Sequence, residues 1–406
     1  MRRVGITGIG FVTCLGTGTD SVWDALLAGT LGFSEVESFD SSRHRFHVGA
    51  EIKDFDGERL GLSAKEVAEL GRATQFGLIA GRAALRQAGL NPESDSESRY
   101  GVCMGTTSGE PLEVERLNDD LLNGESARAG SGFLGRYPSG RIASQIATAC
   151  HCTALPPMMF PTACAAGAYA VSHAYDQIRN GRADCMLAGG ADAFSRITYT
   201  GFAALLAIAP DVCRPFSLNR KGMIPGEGAC VLVLESIESA VRRGAHVYAE
   251  LAGYGLSCDA FHMTGSHPEG TGAVSAMQRA LDNSRIAPAE VDYISAHGTG
   301  TPSNDRNETQ SIRRVFGEQA DRIPVSSIKS MIGHTMGAAS AIETGVCALA
   351  LERGVVPPTM NYDAPDSECD LDYVPNEKRD VTLRYAMNNA YAFGGTNASL
   401  VLKRHE

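Results

Sequence analysis

Four short segments of the chain combine residue types that perform acyl chemistry. In Phe160-Pro161-Thr162-Ala163-Cys164-Ala165-Ala166-Gly167, a cysteine stands among small residues, between a short apolar run and a stretch of helical periodicity. Small neighbours permit a sharp strand-to-helix turn with the thiol at its apex. There, free N–H groups and the helix dipole favour a thiolate, the nucleophilic form. The same residue also reads as a buried, inert thiol, the ordinary fate of a free cysteine. In Ser295-Ala296-His297-Gly298-Thr299-Gly300-Thr301-Pro302, an imidazole leaves the end of a strand into a Gly/Thr loop, and ligands of α/β sheets gather at the carboxyl ends of strands. The segment 327–339 carries Lys329 and His334 ahead of a helix rich in small residues, and 389–397 carries Phe393, Gly394 and Gly395. Taken singly, these are a capping histidine, a surface lysine or a glycine turn. Together they supply a nucleophile, two imidazoles, an ammonium and a loop with free N–H groups, the equipment for acyl transfer through a thioester with an oxyanion hole.

The surrounding patterns place these segments at element ends. Strands are expected over Val4–Ile9, Tyr100–Met104, Asp184–Ala188, Ala229–Glu235, Tyr248–Tyr254, Tyr293–Ala296 and Ala398–Lys403. Helices are expected over Ser21–Ala28, Val67–Ala88, Ala168–Arg179, Gly272–Asn283 and Ala338–Glu352, from apolar residues recurring near a 3.6 period. Such alternation predicts an α/β protein with its sheets covered on both faces. Gly-rich strand-turns at Gly5–Gly10 and Gly253–Gly255 hint at two similar halves.

Composition narrows the function classes. Of 406 residues, 43% are hydrophobic and 20% charged, which is ample for a core and excludes disorder of the bulk chain. A net charge of −11 disfavours nucleic acid as a partner. No apolar run approaches the ~18 residues of a membrane span. Eleven cysteines, odd in number and irregular in spacing, point to free thiols in a reducing, cytoplasmic compartment. Met1–Gly16 reads as a strand and turn rather than a secretory leader. Two further motifs lack their partners. Gly5, Gly8 and Gly10 have a dinucleotide-turn spacing, but no acidic residue ends a following strand as such a site requires. Cys150-His151-Cys152 has no second ligand pair at a suitable distance for zinc.

On the motifs around Cys164, His297, His334 and Phe393, the chain resembles the β-ketoacyl-[acyl-carrier-protein] synthases, most closely their elongating type II branch and the related type II polyketide ketosynthases. The resemblance spans nearly the whole chain and is densest at 162–167, 259–272, 295–310, 325–343 and 389–400. It implies a thiolase-type α/β fold: two similar halves in a five-layer αβαβα sandwich, with residues 1–248 carrying the nucleophile and 249–406 the histidine pair and the glycine-rich gating loop. It implies that Cys164 is acylated and that His297 and His334 form the catalytic histidine pair. Lys329 is then the motif lysine, organised by Glu343, and the backbone N–H groups of Cys164 and Phe393 form the oxyanion hole. Thr299 and Thr301 hold the phosphopantetheine arm, Phe202 borders the acyl pocket, and Phe393 is a gate hinged on Gly394 and Gly395. The initiating branch has His and Asn, and thiolases a second catalytic Cys; this chain keeps the His pair.

The implied reaction is decarboxylative condensation of a Cys-bound acyl chain with a malonyl carrier thioester. It needs no metal and no redox cofactor, the substrates riding on the phosphopantetheine of an acyl carrier protein. A homodimer, or a heterodimer with a chain-length-factor-like partner, is expected. The chain departs from the family pattern in Ala203–Asp211, which is short and apolar, in the altered Gly222–Gly228, and in Ser63–Arg72, where Lys65 and Arg72 are the positive charges left on a helix that is basic in the fatty-acid enzymes. These departures favour a specialised or polyketide-type enzyme and a dedicated, less acidic carrier. The alternative is a basic patch rebuilt by residues such as Arg128 or Arg136.

Overall fold

The computed structural model describes residues 1–95, 97–124 and 131–406. Arg128 lies outside them. Ten strands carry the architecture: β1 Val4–Thr13, β2 Tyr100–Gly105, β3 Met158–Phe160, β4 Cys185–Asp192, β5 Gly228–Ser236, β6 Ala249–Cys258, β7 Tyr293–Ser295, β8 Val325–Ser326, β9 Tyr385–Tyr391 and β10 Thr396–Lys403. Six helices cover them: α1 Arg72–Ala88, α2 Gly140–Ala149, α3 Ala166–Arg179, α4 Thr271–Ser284, α5 Pro302–Phe316 and α6 Ala339–Arg353.

In the first half the strand order is β3-β2-β4-β5-β1, and in the second β8-β7-β9-β10-β6. The two orders match strand for strand. In each, the first three strands are mutually parallel and the last two run antiparallel to their neighbours. The halves join where β1 pairs with β6 in the register Val4↔Leu251, Gly5↔Glu250 and Ile6↔Ala249. Helices α3 and α6 fill the central core between the sheets, α1 and α2 cover the outer face of the first, and α4 and α5 that of the second. This is the five-layer arrangement expected of a thiolase-type fold.

The glycines with dinucleotide spacing serve packing. They lie inside β1, where a Cβ on Gly8 would stand 2.1 Å from the Ala84 carbonyl oxygen and one on Gly10 2.0 Å from that of Ala80. Only Gly lets α1 lie this close to the strand. Gly255 does the same in β6, where a Cβ would meet the Ala276 oxygen of α4 at 2.0 Å.

The helix expected over Val67–Ala88 is two helices. A short one spans Ala64–Glu69 with a Ser63/Glu66 capping box, the chain extends at Leu70, and α1 starts after Gly71. The cause is Glu110. Its buried carboxylate accepts from the N–H groups of Ala73 (3.1 Å) and Thr74 (2.7 Å) and from the Thr74 hydroxyl. A Cβ on Gly71 would lie 2.2 Å from the Glu110 Cδ, so the carboxylate caps α1 from inside the protein. Arg72 is likewise structural. Its guanidinium grips the buried Glu227 through two bonds of 2.9 and 2.7 Å and stacks on the rings of Phe55 and Phe76. Its charge is therefore already neutralised by Glu227. Arg136 is bonded to Glu113 at 2.8 Å.

Candidate active site

Cys164 sits at an elbow between β3 and α3. Ala163 adopts a left-handed φ of 49° and begins a 3-10 turn that leads directly into α3. A non-Gly residue there is strained, and tight surroundings hold it. A Cβ on Gly105 would stand 2.2 Å from the Ala166 carbonyl carbon, and one on Gly167 2.8 Å from Ala341. The matching elbow of the second half leads into α6, with Met336 at φ 55°. The two elbows pack against each other, and Asp192, at the end of β4, ties the second to the loop that follows β2. Buried, it accepts from the N–H groups of Thr107 (2.8 Å), Ser108 (2.9 Å) and Gly337 (2.7 Å) and from the Thr106 hydroxyl.

His334 precedes the second elbow. Its Nε2 lies 3.0 Å from the sulfur of Cys164, and its Nδ1 accepts the Met336 N–H at 3.1 Å. An acceptor Nδ1 in a neutral imidazole puts the proton on Nε2, so His334 presents an N–H to the cavity. His297 arrives from the end of β7, its ring 5.4 Å from that of His334 and nearly perpendicular to it. The Cys164 sulfur and one imidazole nitrogen of each histidine lie within 4.8 Å of one another. The chain around His297 is pinned by Glu308 of α5, whose carboxylate oxygens accept the N–H groups of His297 and Gly298, each at 2.8 Å. Asp305, one turn earlier, holds Phe216 (2.7 Å) and Gly300 (3.2 Å) in the same way.

Burial dominates the electrostatics. It holds both imidazoles well below the usual histidine range, with the Lys329 charge acting in the same direction, so both are neutral at neutral pH. Burial pushes the Cys164 thiol up to about 12, against the pull of Lys329 and of the backbone N–H groups of Cys164 and Phe393 that face it. The thiolate expected from the helix dipole alone is outweighed by desolvation. Lys329 itself is fully buried and paired with Glu343 of α6. Burial raises the Glu343 carboxyl to about 7.

The remaining expected residues converge on the same cavity of about 490 Å³, which reaches from Cys164, His297 and His334 past Thr299 and Thr301 to Phe202 and Phe393. The hydroxyl oxygens of Thr299 and Thr301 lie 2.8 Å apart. Phe202 is buried, Phe393 is 37% exposed, and their rings are 5.6 Å apart. Gly394 and Gly395 both take positive φ, 79° and 76°. Their loop is laced to the neighbouring 259–272 loop: Gly394 N–H donates to Met263, Asp259 N–H to Gly395, and Asn397 to the Asp259 carboxylate, each at 2.8 Å.

The cysteine and two histidines form the one cluster of potential metal ligands among the described residues. Its tautomer is wrong for that task, because a ligating histidine donates its second N–H to an acceptor, whereas Nδ1 of His334 faces a donor. Cys150 and Cys152 are buried and His151 is exposed; they do not converge with other ligands. The eleven cysteines are free thiols. No helix of the described residues is long and apolar enough to cross a membrane. Sequence reading missed Asp192, Asp305, Glu308 and Glu110, since an acidic residue in a single sequence looks like solvated surface. The available signal was Asp305 and Glu308 three apart, one turn after Pro302, directly behind the His297 loop.

Comparison with known proteins agrees with this geometry. Residues 1–240 match the family described as Beta-ketoacyl synthase, N-terminal domain, and residues 248–363 match Beta-ketoacyl synthase, C-terminal domain. Nodulation protein E of Rhizobium meliloti (strain 1021) is 41% identical, covering 99% of both chains. The tetracenomycin polyketide synthase ketoacyl synthase alpha subunit of Streptomyces glaucescens is 39% identical over 99% of this chain and 97% of its own. 3-oxoacyl-[acyl-carrier-protein] synthase 2 of Staphylococcus aureus is 38% identical over 100% and 99%. Among solved structures, the ishigamide ketosynthase/chain length factor superposes with a TM-score of 0.95 at 39% identity, and the ketosynthase AntDE, solved with its acyl-carrier protein AntF, with 0.90 at 33%; each covers both chains fully. Two adjoining domain matches, near-full-length relatives and one shared fold lead to a single assignment: the chain belongs to the β-ketoacyl synthase family.

Proposed function

We propose that the chain is the acyl-accepting, chain-elongating ketosynthase of a carrier-protein pathway, and that its reaction is decarboxylative Claisen condensation. The observation that carries this reading is the convergence of the Cys164 sulfur with two neutral imidazoles, one of which turns an N–H toward it. In the first half-reaction the Cys164 sulfur attacks the carbonyl of an acyl-carrier thioester. The N–H groups of Cys164 and Phe393 hold the oxyanion, and the carrier's sulfur leaves with the proton that the thiol gives up. In the second, a malonyl thioester places its carbonyl oxygen between His297 and His334. Loss of CO2 leaves an enolate whose charge the imidazole N–H groups stabilise. Its carbon attacks the acyl-Cys164 carbonyl, and collapse expels the Cys164 sulfur as a thiolate, which takes one proton from solvent.

Lys329 and Glu343 organise the histidines, and Thr299 and Thr301 hold the arm. Phe202 borders the acyl pocket, and Phe393 gates it on Gly394 and Gly395. The reading uses no metal and no redox cofactor, divides the chain into halves 1–248 and 249–406, and places the enzyme in the cytoplasm. The apolar Ala203–Asp211 segment and the loss of Arg72 to a structural ion pair favour a second, finer reading. In it the chain is the catalytic subunit of a specialised type II polyketide system, paired with a chain-length-factor-like partner, rather than a housekeeping fatty-acid enzyme. The test is Cys164→Ala. It abolishes condensation, because nothing else holds the acyl chain, yet it still releases CO2 from the malonyl thioester, because both imidazoles remain. Ketoacyl product formed near the wild-type rate would show the nucleophile to be misassigned.

A further inference from the structure

The chain carries 47 acidic residues against 36 basic ones, yet no Asp or Glu among the described residues lines the catalytic cavity, and two cations do, Lys221 and Arg306. Beside it lies a side cavity of about 240 Å³ that shares Leu206 and Lys221 as its wall. This second cavity also has no carboxylate in its lining, and its cations are Arg45 and Lys221. Arg306 is engaged by Glu368 at 3.5 Å. Lys221 and Arg45 are exposed and join no ion pair among the described residues, and the Arg45 guanidinium lies over the Phe46 ring. Excluding every carboxylate from both linings in so acidic a protein leaves a local positive potential at the cavity mouth.

Lys221 is also held in register with the site. The next residue, Gly222, donates its N–H to Gly300 at 2.9 Å, inside the Thr299–Thr301 loop, and Met223 pairs with Ala207 and Ala209 at 2.8 Å. A Cβ on Gly222 would stand 2.4 Å from the Ala207 oxygen, so this backbone cannot drift from either wall.

We infer that Lys221, with Arg45 beside it, is an anion anchor at the mouth of the catalytic cavity and takes the phosphodiester of the carrier's phosphopantetheine arm. The inference rests on the condensing reading above and names the group that reads the outer end of the substrate. A carrier-borne malonyl thioester has two anionic ends. Pairing a cation with the malonyl carboxylate would stabilise a charge that decarboxylation must destroy, and so would slow the reaction. Lys221 is solvent-exposed whereas Cys164, His297 and His334 are buried, which puts the ammonium at the phosphate end. An ammonium suits this task as a point charge that needs no fixed fork geometry.

The experiment compares acyl and malonyl thioesters of pantetheine, of 4′-phosphopantetheine and of a carrier protein on the wild type, Lys221→Glu and Lys221→Arg. It is joined to calorimetric binding of phosphopantetheine and pantetheine to the resting protein. Wild type is expected to show a KM on the order of twofold to fivefold lower for the phosphorylated arm, the range of one exposed ion pair. Lys221→Glu erases that difference in both KM and binding with kcat held, and Lys221→Arg restores it. Equal binding of the two arms by the wild type overturns the proposal whatever the turnover. So does a KM raised equally for both arms in Lys221→Glu, which would mark a structural role. A Lys221→Glu effect confined to the carrier-borne substrate would assign Lys221 to carboxylates of the carrier and overturn the phosphate assignment. Absence of condensation with every thioester, alongside preferential binding of the phosphorylated arm, would instead break the condensing reading and leave the anchor standing.

Discussion

The ring of Phe393 rests on that of Phe202 at 5.6 Å, one partner 37% exposed at the cavity mouth and the other buried in its wall. Both rings line the cavity that holds Cys164, and Phe393 is followed directly by Gly394 and Gly395, both at positive φ. A Cβ on Gly394 meets nothing within 4 Å, whereas one on Gly395 would stand 2.8 Å from Asp259. Gly394→Ala therefore costs only the left-handed strain, about 1–2 kcal/mol, while Gly395→Ala adds a clash with the adjoining loop. We expect Gly395→Ala to slow acylation of Cys164 more than Gly394→Ala, with malonyl decarboxylation less affected. Stopped-flow measurement of the two half-reactions checks this, and equal losses in both variants would remove the hinge from the account.

In the proposed mechanism His297 and His334 act as donors toward the enolate. His297→Ala and His334→Ala should each reduce malonyl decarboxylation on the order of 100-fold, the loss typical of one preorganised donor. Acylation of Cys164 should suffer less. Release of labelled CO2, followed beside acyl transfer, separates the two, and parallel loss of both half-reactions would indicate a collapsed site.

Burial sets the pH behaviour of the nucleophile. With the Cys164 thiol pushed up to about 12, the folded group is protonated across the working range, and the thiolate fraction rises tenfold per pH unit below that value. Alkylation of Cys164 by iodoacetamide should climb with that slope from pH 7 to 9 without levelling off. A plateau near neutrality would show that the helix start and the His334 N–H overcome desolvation. The histidines carry the opposite linkage. Their folded values lie well below 6.5, so below that pH the unfolded chain binds protons that the folded chain does not. Their contribution to stability is complete above pH 6.5 and is lost as the pH falls.

The segment Ser63–Arg72 retains Lys65 as its exposed cation, because Arg72 is bound to Glu227. The exposed apolar side chains near the cavity, Leu205, Leu206 and Met263, offer a different kind of contact. We expect weak use of a strongly acidic carrier, better use of one with a less acidic or more apolar docking helix, and a shallow dependence on ionic strength for the latter. Transacylation rates with the two carriers from low to high salt check this. Fast, steeply salt-sensitive turnover with the acidic carrier would contradict it.

The sequence made the reacting groups legible because each stands beside a run of small residues at an element boundary. Cys164 and His297 fall where a strand ends, His334 ahead of a helix rich in small residues and Phe393 before a glycine pair, and the structure brings all four to one cavity. What it hid was the support. The α5 helix was not foreseen because four of the six side chains it buries are polar, Asp305, Glu308, Thr309 and Ser311, which leaves Ile312 and Phe316 near its end as the buried apolar signal. Strand β9 was missed because Asn388 and Asn389 stand at its centre. They are tolerated there because Asn388 donates to Ser340 and Thr344, and Asn389 accepts from Ser399, offsetting a poor strand propensity. The break before α1 depended on Glu110, 38 residues beyond Arg72, and no local pattern records such a contact. Gly5, Gly8 and Gly10 misled in the opposite direction, since close helix packing and phosphate cradling ask for the same residue.

In the proposed function Cys164, alone among eleven thiols, carries the acyl chain. Intact-protein and peptide mass spectrometry after incubation with a panel of acyl carriers measures this directly. The expected result is one acyl group per chain, located on the peptide containing Cys164. On addition of malonyl carrier that group should be discharged, with one CO2 and one ketoacyl carrier formed for each acyl group lost. Acylation on another cysteine, or an acyl-Cys164 that malonyl carrier leaves in place, would contradict it.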